Sequence, residues 1–407
     1  MTAEARRVAV TGMGVICALG NNAVETWNAV SQGRSGIAPI DSVDTSKLRF
    51  RNGAQIPRYD PGKYFDVNRA RSLDPFSQFA VIAAREALKD SGITLTPALC
   101  ENAAIVTGSG MGGQSTQDAG FAKLYQRNQP RVDPLVIPRA MANAGASHIS
   151  MEFGITGPAY TISTACSSSN HAIGQAFWMV RNGMVDLAIA GGSEAPFSFG
   201  FLKAWEALRV MSPDTCRPFS KDRRGLILGE GGAMLILEPL ATARAREATI
   251  HAEVVGFGMS SDAHHLTHLS SDGPVRAMRA ALRDALLLPE QVGYINAHGS
   301  GTLVNDPLET RAIRELFRAH ADRLAVSSTK SLHGHSLGAT GAMEAICTVL
   351  ALKNGLLPPT ANFTEPDPDC ELDVVPNRAR PAQVEYALSN SFAFGGLNAV
   401  LVFRAPQ

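Results

Sequence analysis

Short all-apolar runs alternate along the 407-residue chain with longer stretches whose apolar positions recur every three or four residues. Runs of the first kind read as strands buried on both faces, and the stretches between them as amphipathic helices. The first predicted strand is Arg7–Thr11, and a helix is predicted around Phe76–Leu88. Strands follow at Ala103–Thr107, Tyr160–Thr164, Asp186–Ala190 and Ala233–Leu237. From about residue 250 the series begins again, because His251–Gly258 has the strand-to-glycine form of the opening. Gly293–Ala297, Leu324–Ser328, Tyr386–Ser389 and Ala399–Phe403 continue it. The alternation predicts an α/β protein with largely parallel strands. The restart predicts two similar halves, residues 1–250 and 251–407, and no low-complexity linker separates them.

Gly12-Met-Gly14 after the first strand invites a dinucleotide-binding reading. The third glycine of G-x-G-x-x-G would fall at position 17, which is Cys, so a packing role is expected instead.

At 45% hydrophobic residues the chain can bury a large core. Its 37 acidic and 37 basic residues balance, which argues against nucleic acid or a membrane surface as a general partner. The first residues, Met1-Thr-Ala-Glu-Ala-Arg-Arg7, lack a signal-peptide pattern, and no apolar run approaches the ~20 residues of a membrane span. The six cysteines, at 17, 100, 166, 216, 347 and 370, form no C-x-x-C pair. Reduced thiols and a cytoplasmic enzyme are expected.

One cysteine stands apart. Tyr160–Thr164 runs into Ala165-Cys-Ser-Ser-Ser-Asn-His171, which turns helical by Ala172–Val180. That places Cys166 at a helix N-terminus, where free N–H groups and the dipole favour a thiolate. Two later segments, Tyr294-Ile-Asn-Ala-His-Gly-Ser-Gly-Thr302 and Ser327-Ser-Thr-Lys-Ser-Leu-His-Gly-His335, each carry a histidine from an apolar strand into a glycine-rich turn. No third His, Cys or carboxylate recurs at zinc-ligand spacing, so no metal site is expected from spacing.

These segments together resemble the β-ketoacyl-acyl-carrier-protein synthases, the condensing enzymes of fatty-acid and polyketide synthesis. The likeness spans the chain, from Val8–Gly14 through Gly191-Gly-Ser-Glu194 and Arg217-Pro-Phe-Ser220 to Asn390-Ser-Phe-Ala-Phe-Gly-Gly396. Relatives that start chains from acyl-CoA pair the cysteine with one His and an Asn, whereas His335 here matches the elongating, synthase II type. Lys203–Arg209, Pro213–Ser220 and Glu365–Cys370 are more similar to the ketosynthase of Nod-factor lipid assembly, with relatives that build polyenes.

The resemblance implies a thiolase fold of five layers, α-β-α-β-α. It implies decarboxylative condensation with no cofactor: Cys166 as nucleophile, and His298 and His335 as neutral donors to the malonyl thioester carbonyl. Lys330 would orient the site electrostatically with Glu309 as its carboxylate partner. The N–H of Phe394 would complete an oxyanion hole with that of Cys166, and the Phe394 ring would act as a gate. Met111, Phe392, Gly395 and Thr302 would bind substrate, Met111 standing where synthase II carries a β-branched limiter of acyl entry. Ala393 and Leu397 depart from the Gly and Thr of that type, which implies a stiffer gate loop. Asn296, Glu344 and Ser389 match positions that surround a structural cation in some relatives.

The implied partners are acyl carrier protein, docked by Arg69, Arg71, Arg127, Arg131 and Arg209, and a second subunit, identical or a cysteine-less chain-length factor. The alternative reading is the catalytic subunit of such a heterodimer in type II polyketide synthesis; behind it stands a non-catalytic factor, against which the retained Cys166 argues. A degradative thiolase would need a second cysteine within Asn390–Asn398, which has none. His264, His265, His268 and His333 are expected to be capping or core residues.

Overall fold

The computed structural model describes residues 5–127, 129–267 and 269–406, so His268 lies outside the described residues. Ten strands form the main sheet. They are β1 (Val8–Cys17), β2 (Ala103–Gly108), β3 (Ala159–Ile162), β4 (Leu187–Glu194), β5 (Gly231–Pro239), β6 (Ala252–Ser261), β7 (Val292–Asn296), β8 (Ala325–Ser327), β9 (Tyr386–Ala393) and β10 (Leu397–Arg404). Eight helices matter here: α1 (Pro75–Ser91), α2 (Gln114–Tyr125), α3 (Ala144–Phe153), α4 (Ser168–Arg181), α5 (Phe199–Ala207), α6 (Asp272–Asp284), α7 (Asn305–Phe317) and α8 (Thr340–Asn354).

The strand order is β8-β7-β9-β10-β6-β1-β5-β4-β2-β3. Read outward from the β6/β1 seam, both sides repeat one pattern. The two outer pairings of each side are parallel and the inner ones antiparallel. The seam itself is antiparallel and short, pairing only Val8–Val10 with Ala252–Val254. Duplication is therefore visible in the topology. The expectation of largely parallel strands is corrected, because antiparallel pairs occupy the whole middle of the sheet. An antiparallel strand covered on both faces is buried at every position, as β1 and β5 are, so it lacks the alternation that would tell it from a parallel strand.

Helices α1 and α3 cover the outer face of the first side, and α6, with α7 against it, covers the second. Helices α4 and α8 pack on each other and on strands of both sides, which makes them the middle layer of an α-β-α-β-α stack. Helix α1 shows how the sequence writes such an element. Asp74 caps its N-terminus by accepting from Phe76 N–H, Pro75 follows, and Gly92 at φ +64° ends it. Its close approach to β1 explains the glycines there: a Cβ on Gly12 would lie 2.1 Å from the Ala87 carbonyl oxygen, and one on Gly14 2.0 Å from that of Ala83.

The catalytic candidates lie in turns that follow the outer strands of the two sides. Cys166 lies between β3 and α4, His298 follows β7, and His335 precedes α8. Gly14→Val should lower unfolding free energy by on the order of 3 kcal/mol in urea titration, because backbone cannot yield to the new side chain. Gly92→Ala, with open space around it but a positive φ, should cost about 1 kcal/mol. Equal losses at the two positions would contradict this packing account.

Candidate active site

The chain turns sharply into Cys166. Thr164 has φ −130° and ψ 42°, outside both the helical and the extended regions, and Ala165 adopts φ +51°, a left-handed conformation that costs free energy for a residue with a Cβ. Ser168 holds the turn: its Oγ accepts from Thr164 N–H at 2.9 Å and donates to the Ala165 carbonyl at 2.6 Å. The thiol sits buried at the start of α4, with the backbone N–H groups of Cys166 and Phe394 close enough to favour its thiolate. Burial nevertheless pushes the Cys166 thiol up to about 11, against the pull of Lys330 and those N–H groups. The N–H groups favour the thiolate as expected, but desolvation outweighs them.

His298 is fixed through its backbone. Glu309 on α7 accepts from the N–H groups of His298 and Gly299 at 2.8 and 2.7 Å, and from Asn390 Nδ2 at 3.2 Å. The turn beyond uses Gly299 and Gly301 at positive φ. His335 is fixed through both backbone and ring. Its N–H donates to the Ile227 carbonyl at 2.7 Å. Its Nδ1 accepts from Leu337 N–H at 3.2 Å and lies 2.9 Å from Thr340 Oγ1. An Nδ1 that accepts a backbone N–H is unprotonated, so the neutral ring carries its proton on Nε2. The two rings stand 5.5 Å apart, nearly perpendicular. Both are held well below the usual histidine range by burial first and by the Lys330 charge second, and are neutral at pH 7.

Lys330 is fully buried, and its Nζ donates to Glu344 Oε1 at 2.6 Å. Its carboxylate partner is therefore Glu344 on α8 and not Glu309, which is spent on the His298 turn. Burial pushes Glu344 up to about 7, with Lys330 acting in the opposite direction. Glu344 Oε2, Asn296 Oδ1 and Ser389 Oγ are buried with no protein hydrogen-bond partner, and Asn296 faces Ser389 across β7 and β9. Among the described residues no group of three or more His, Cys, Asp or Glu could hold a metal ion, and no helix is long and apolar enough to cross a membrane.

Two cavities meet at Cys166. The larger, about 420 Å³, is walled by His298, His335, Thr302 and Phe392, with Arg209 and Arg224 among its lining residues. The smaller, about 320 Å³, is lined by apolar groups, among them Met111, Phe201, Leu208 and Leu337. Phe394 lines both. Thr302 is held by Ser300 Oγ at 2.9 Å. Gly395 lines neither cavity and donates its N–H to the Leu266 carbonyl at 2.7 Å, at the gate turn. That turn takes positive φ at Gly395 and Gly396 but not at Ala393, which ends β9 in extended form. Alanine at 393 therefore forbids nothing the turn uses.

Of the five arginines expected to dock carrier protein, Arg209 alone lines one of these two cavities. Arg69 pairs with Glu152 at 3.5 Å, and Arg71, Arg127 and Arg131 are exposed on other segments. Sequence reasoning missed Arg224, Thr340 and Glu194. The last ends β4, fully buried, and accepts from Ser109 Oγ and the N–H groups of Gly110, Met111 and Gly338. It thereby ties the Met111 wall to the turn after His335. Its signal was a lone carboxylate closing an apolar strand.

A thiol close to two N–H donors, beside two neutral imidazoles and a narrow apolar cavity, defines a thiol-dependent acyl-transfer site. Residues 5–243 match the family described as Beta-ketoacyl synthase, N-terminal domain, and residues 251–364 the corresponding C-terminal domain. Nodulation protein E of Rhizobium sp. (strain N33) is 46% identical over 402 residues, 98% of this chain and 99% of that protein. The 3-oxoacyl-[acyl-carrier-protein] synthase 2 of Coxiella burnetii (strain RSA 493 / Nine Mile phase I) is 41% identical, covering 98% of each chain. The solved structure of the ishigamide ketosynthase/chain length factor superposes with a TM-score of 0.94 at 37% identity, over 99% of this chain and 100% of that one. The chain belongs to the β-ketoacyl synthase family and has its thiolase-like fold.

Alkylation of Cys166 by iodoacetamide should accelerate about tenfold per pH unit up to pH 10, because the reactive thiolate gains population as pH rises toward about 11. A plateau below pH 8 would show a thiolate already resident.

Proposed function

We propose that the protein elongates acyl chains by decarboxylative condensation with malonyl-acyl carrier protein. What supports the reading most is the convergence of one thiol and two neutral imidazoles on a single cavity, across the boundary between residues 1–250 and 251–407. In the loading step the Cys166 sulfur attacks the acyl thioester. A carbon–sulfur bond to the enzyme forms, the bond to the carrier breaks, and the thiol proton leaves with the carrier's sulfur. The N–H groups of Cys166 and Phe394 hold the tetrahedral oxyanion. In the second step malonyl thioester loses carbon dioxide. The electron pair moves into an enolate whose oxygen takes hydrogen bonds from His335 Nε2 and the His298 ring. The carbanion carbon then attacks the acyl-enzyme, the new carbon–carbon bond forms, the bond to Cys166 breaks, and the thiolate released takes a proton from solvent. A neutral donor suits this task because it gives a hydrogen bond without surrendering its proton to the enolate. The acyl chain occupies the smaller cavity past Met111. The 3-oxoacyl-[acyl-carrier-protein] relative supports carrier protein as partner, and Arg209 with Arg224 at the larger cavity supplies positive charge for an acidic one.

The working unit is a dimer. Strand β3 is the outer edge of the sheet, with Ala159 and Tyr160 exposed. Exposed apolar side chains accompany it at Phe121, Tyr125, Ile137, Met141 and Met151. An open edge with apolar surroundings calls for a partner strand. The partner is a second copy or, as in the ishigamide ketosynthase/chain length factor, a homologue. The reading places the enzyme in the cytoplasm, where its six free cysteines stay thiols.

Incubation with acyl carrier proteins of graded length, followed by intact mass measurement, should show one acyl group on Cys166. No adduct with any of them would contradict the proposal. Cys166→Ala should abolish condensation while some malonyl decarboxylation persists. His298→Ala and His335→Ala should each slow decarboxylation about 100- to 1000-fold while leaving loading within about tenfold, and the two losses should not add. Slow loading with normal decarboxylation would remove the histidines from the enolate step. Sedimentation should give a dimer, and an active 43 kDa monomer would contradict the shared edge.

A further inference from the structure

The two cavities share four lining residues: Cys166, Trp205, Leu208 and Phe394. Three of these were expected or are ordinary apolar wall. Trp205 was not expected, and its geometry is specific. Its ring lies 6.3 Å from that of Phe394 with 22° between the planes, an offset stack. Phe201, one turn earlier on α5, braces it edge-on at 6.2 Å and 82°. Trp205 is buried on a regular helix, so its plane is fixed, whereas Phe394 is partly exposed and followed by two glycines at φ +82° and +68°. A Cβ placed on Gly395 would meet only Leu397 Cγ at 3.9 Å, so the turn has room around it. One member of the stack is anchored and the other is hinged.

We infer that Trp205 is a positioning residue that holds Phe394 between the two cavities and thereby sets which acyl chains enter the smaller one. The inference rests on the proposal that the acyl chain is carried by Cys166. Cys166, Trp205 and Phe394 all line the smaller cavity, so a chain on that sulfur enters it alongside the stacked pair. A short acyl group fits beside the sulfur with the stack closed, but a long one must displace the Phe394 ring. Because the Phe394 N–H also lies close to the sulfur, the stack keeps that donor in register until the ring is displaced. Strength of stacking is thus converted into discrimination by chain length.

The test compares acyl transfer from acetyl- and palmitoyl-carrier protein in the wild type, Trp205→Leu and Trp205→Phe, with the acyl-enzyme read by intact mass. Leucine keeps apolar volume but removes the aromatic face, so the palmitoyl-to-acetyl rate ratio should rise about fivefold, the factor that corresponds to one aromatic pair. Phenylalanine restores a face and should return the ratio to within about twofold of wild type. Indole emission should change when the wild type is palmitoylated, and that change should vanish in Trp205→Phe and in Phe394→Ala. The emission arm decides the matter even if the leucine variant fails to fold. An unchanged or lower ratio in Trp205→Leu, or an emission change that survives in Phe394→Ala, overturns the role of Trp205. Absence of acyl mass on the wild type would instead overturn the condensing reading itself.

Discussion

The site is organised around a positive charge buried where water cannot reach it. The Lys330 ammonium and the Glu344 carboxylate, 2.6 Å apart and fully enclosed, lie 14 residues apart in the chain and join the turn before His335 to the middle-layer helix α8. An unpaired ammonium there would lose its proton or cost several kcal/mol, so the carboxylate is what keeps the charge in place. Placed so, the charge favours the thiolate of Cys166 and disfavours protonation of both histidines. One cation therefore serves two opposite needs, a nucleophile that can ionise on demand and hydrogen-bond donors that stay neutral. Burial sets the balance between them. It keeps the resting sulfur protonated, so ionisation belongs to the moment of attack and not to the resting enzyme.

The duplicated fold makes this possible by bringing unlike chemistry to like positions. The cysteine turn belongs to the first half and the two histidine turns to the second, and α4 and α8, packed on each other in the middle layer, set them face to face. Each turn is locked by a group outside it: Ser168 for the strained residue before the cysteine, Glu309 for the His298 backbone, and Thr340 with Leu337 N–H for the His335 ring. Glu194 extends the lacing to the acyl side, since the same carboxylate holds the Met111 loop and the turn at Gly338. Such fixed donors need no rearrangement as charge develops, which is how a site of this kind lowers a barrier.

Much of this was legible in the chain. The strand-to-turn signals of Cys166, His298 and His335 were local, and the second start near residue 250 announced the duplication. What escaped depends on distances between segments. Glu309 and Glu344 are both helical carboxylates that follow a key residue by a short interval, and only the packing of α7 and α8 decides which meets Lys330. The helix N-terminus at Cys166 could be read from small residues after a strand, but the depth of burial that outweighs it could not. Strand direction was lost for a similar reason, because fully covered strands carry no polar face to mark their neighbours. Trp205 sits on an amphipathic helix where a tryptophan reads as core, and only the meeting of two cavities distinguishes it.

The central claim is that both histidines act as neutral donors, with the His335 proton held on Nε2. Nitrogen-15 NMR of histidine-labelled enzyme, followed from pH 8 to pH 5, tests this most directly. The account predicts that His298 and His335 keep neutral-imidazole shifts across the whole range, and that His335 shows a protonated Nε2 and a bare, hydrogen-bonded Nδ1. Titration of either ring near the ordinary histidine value of about 6.5, or a proton resident on Nδ1 of His335, would contradict it.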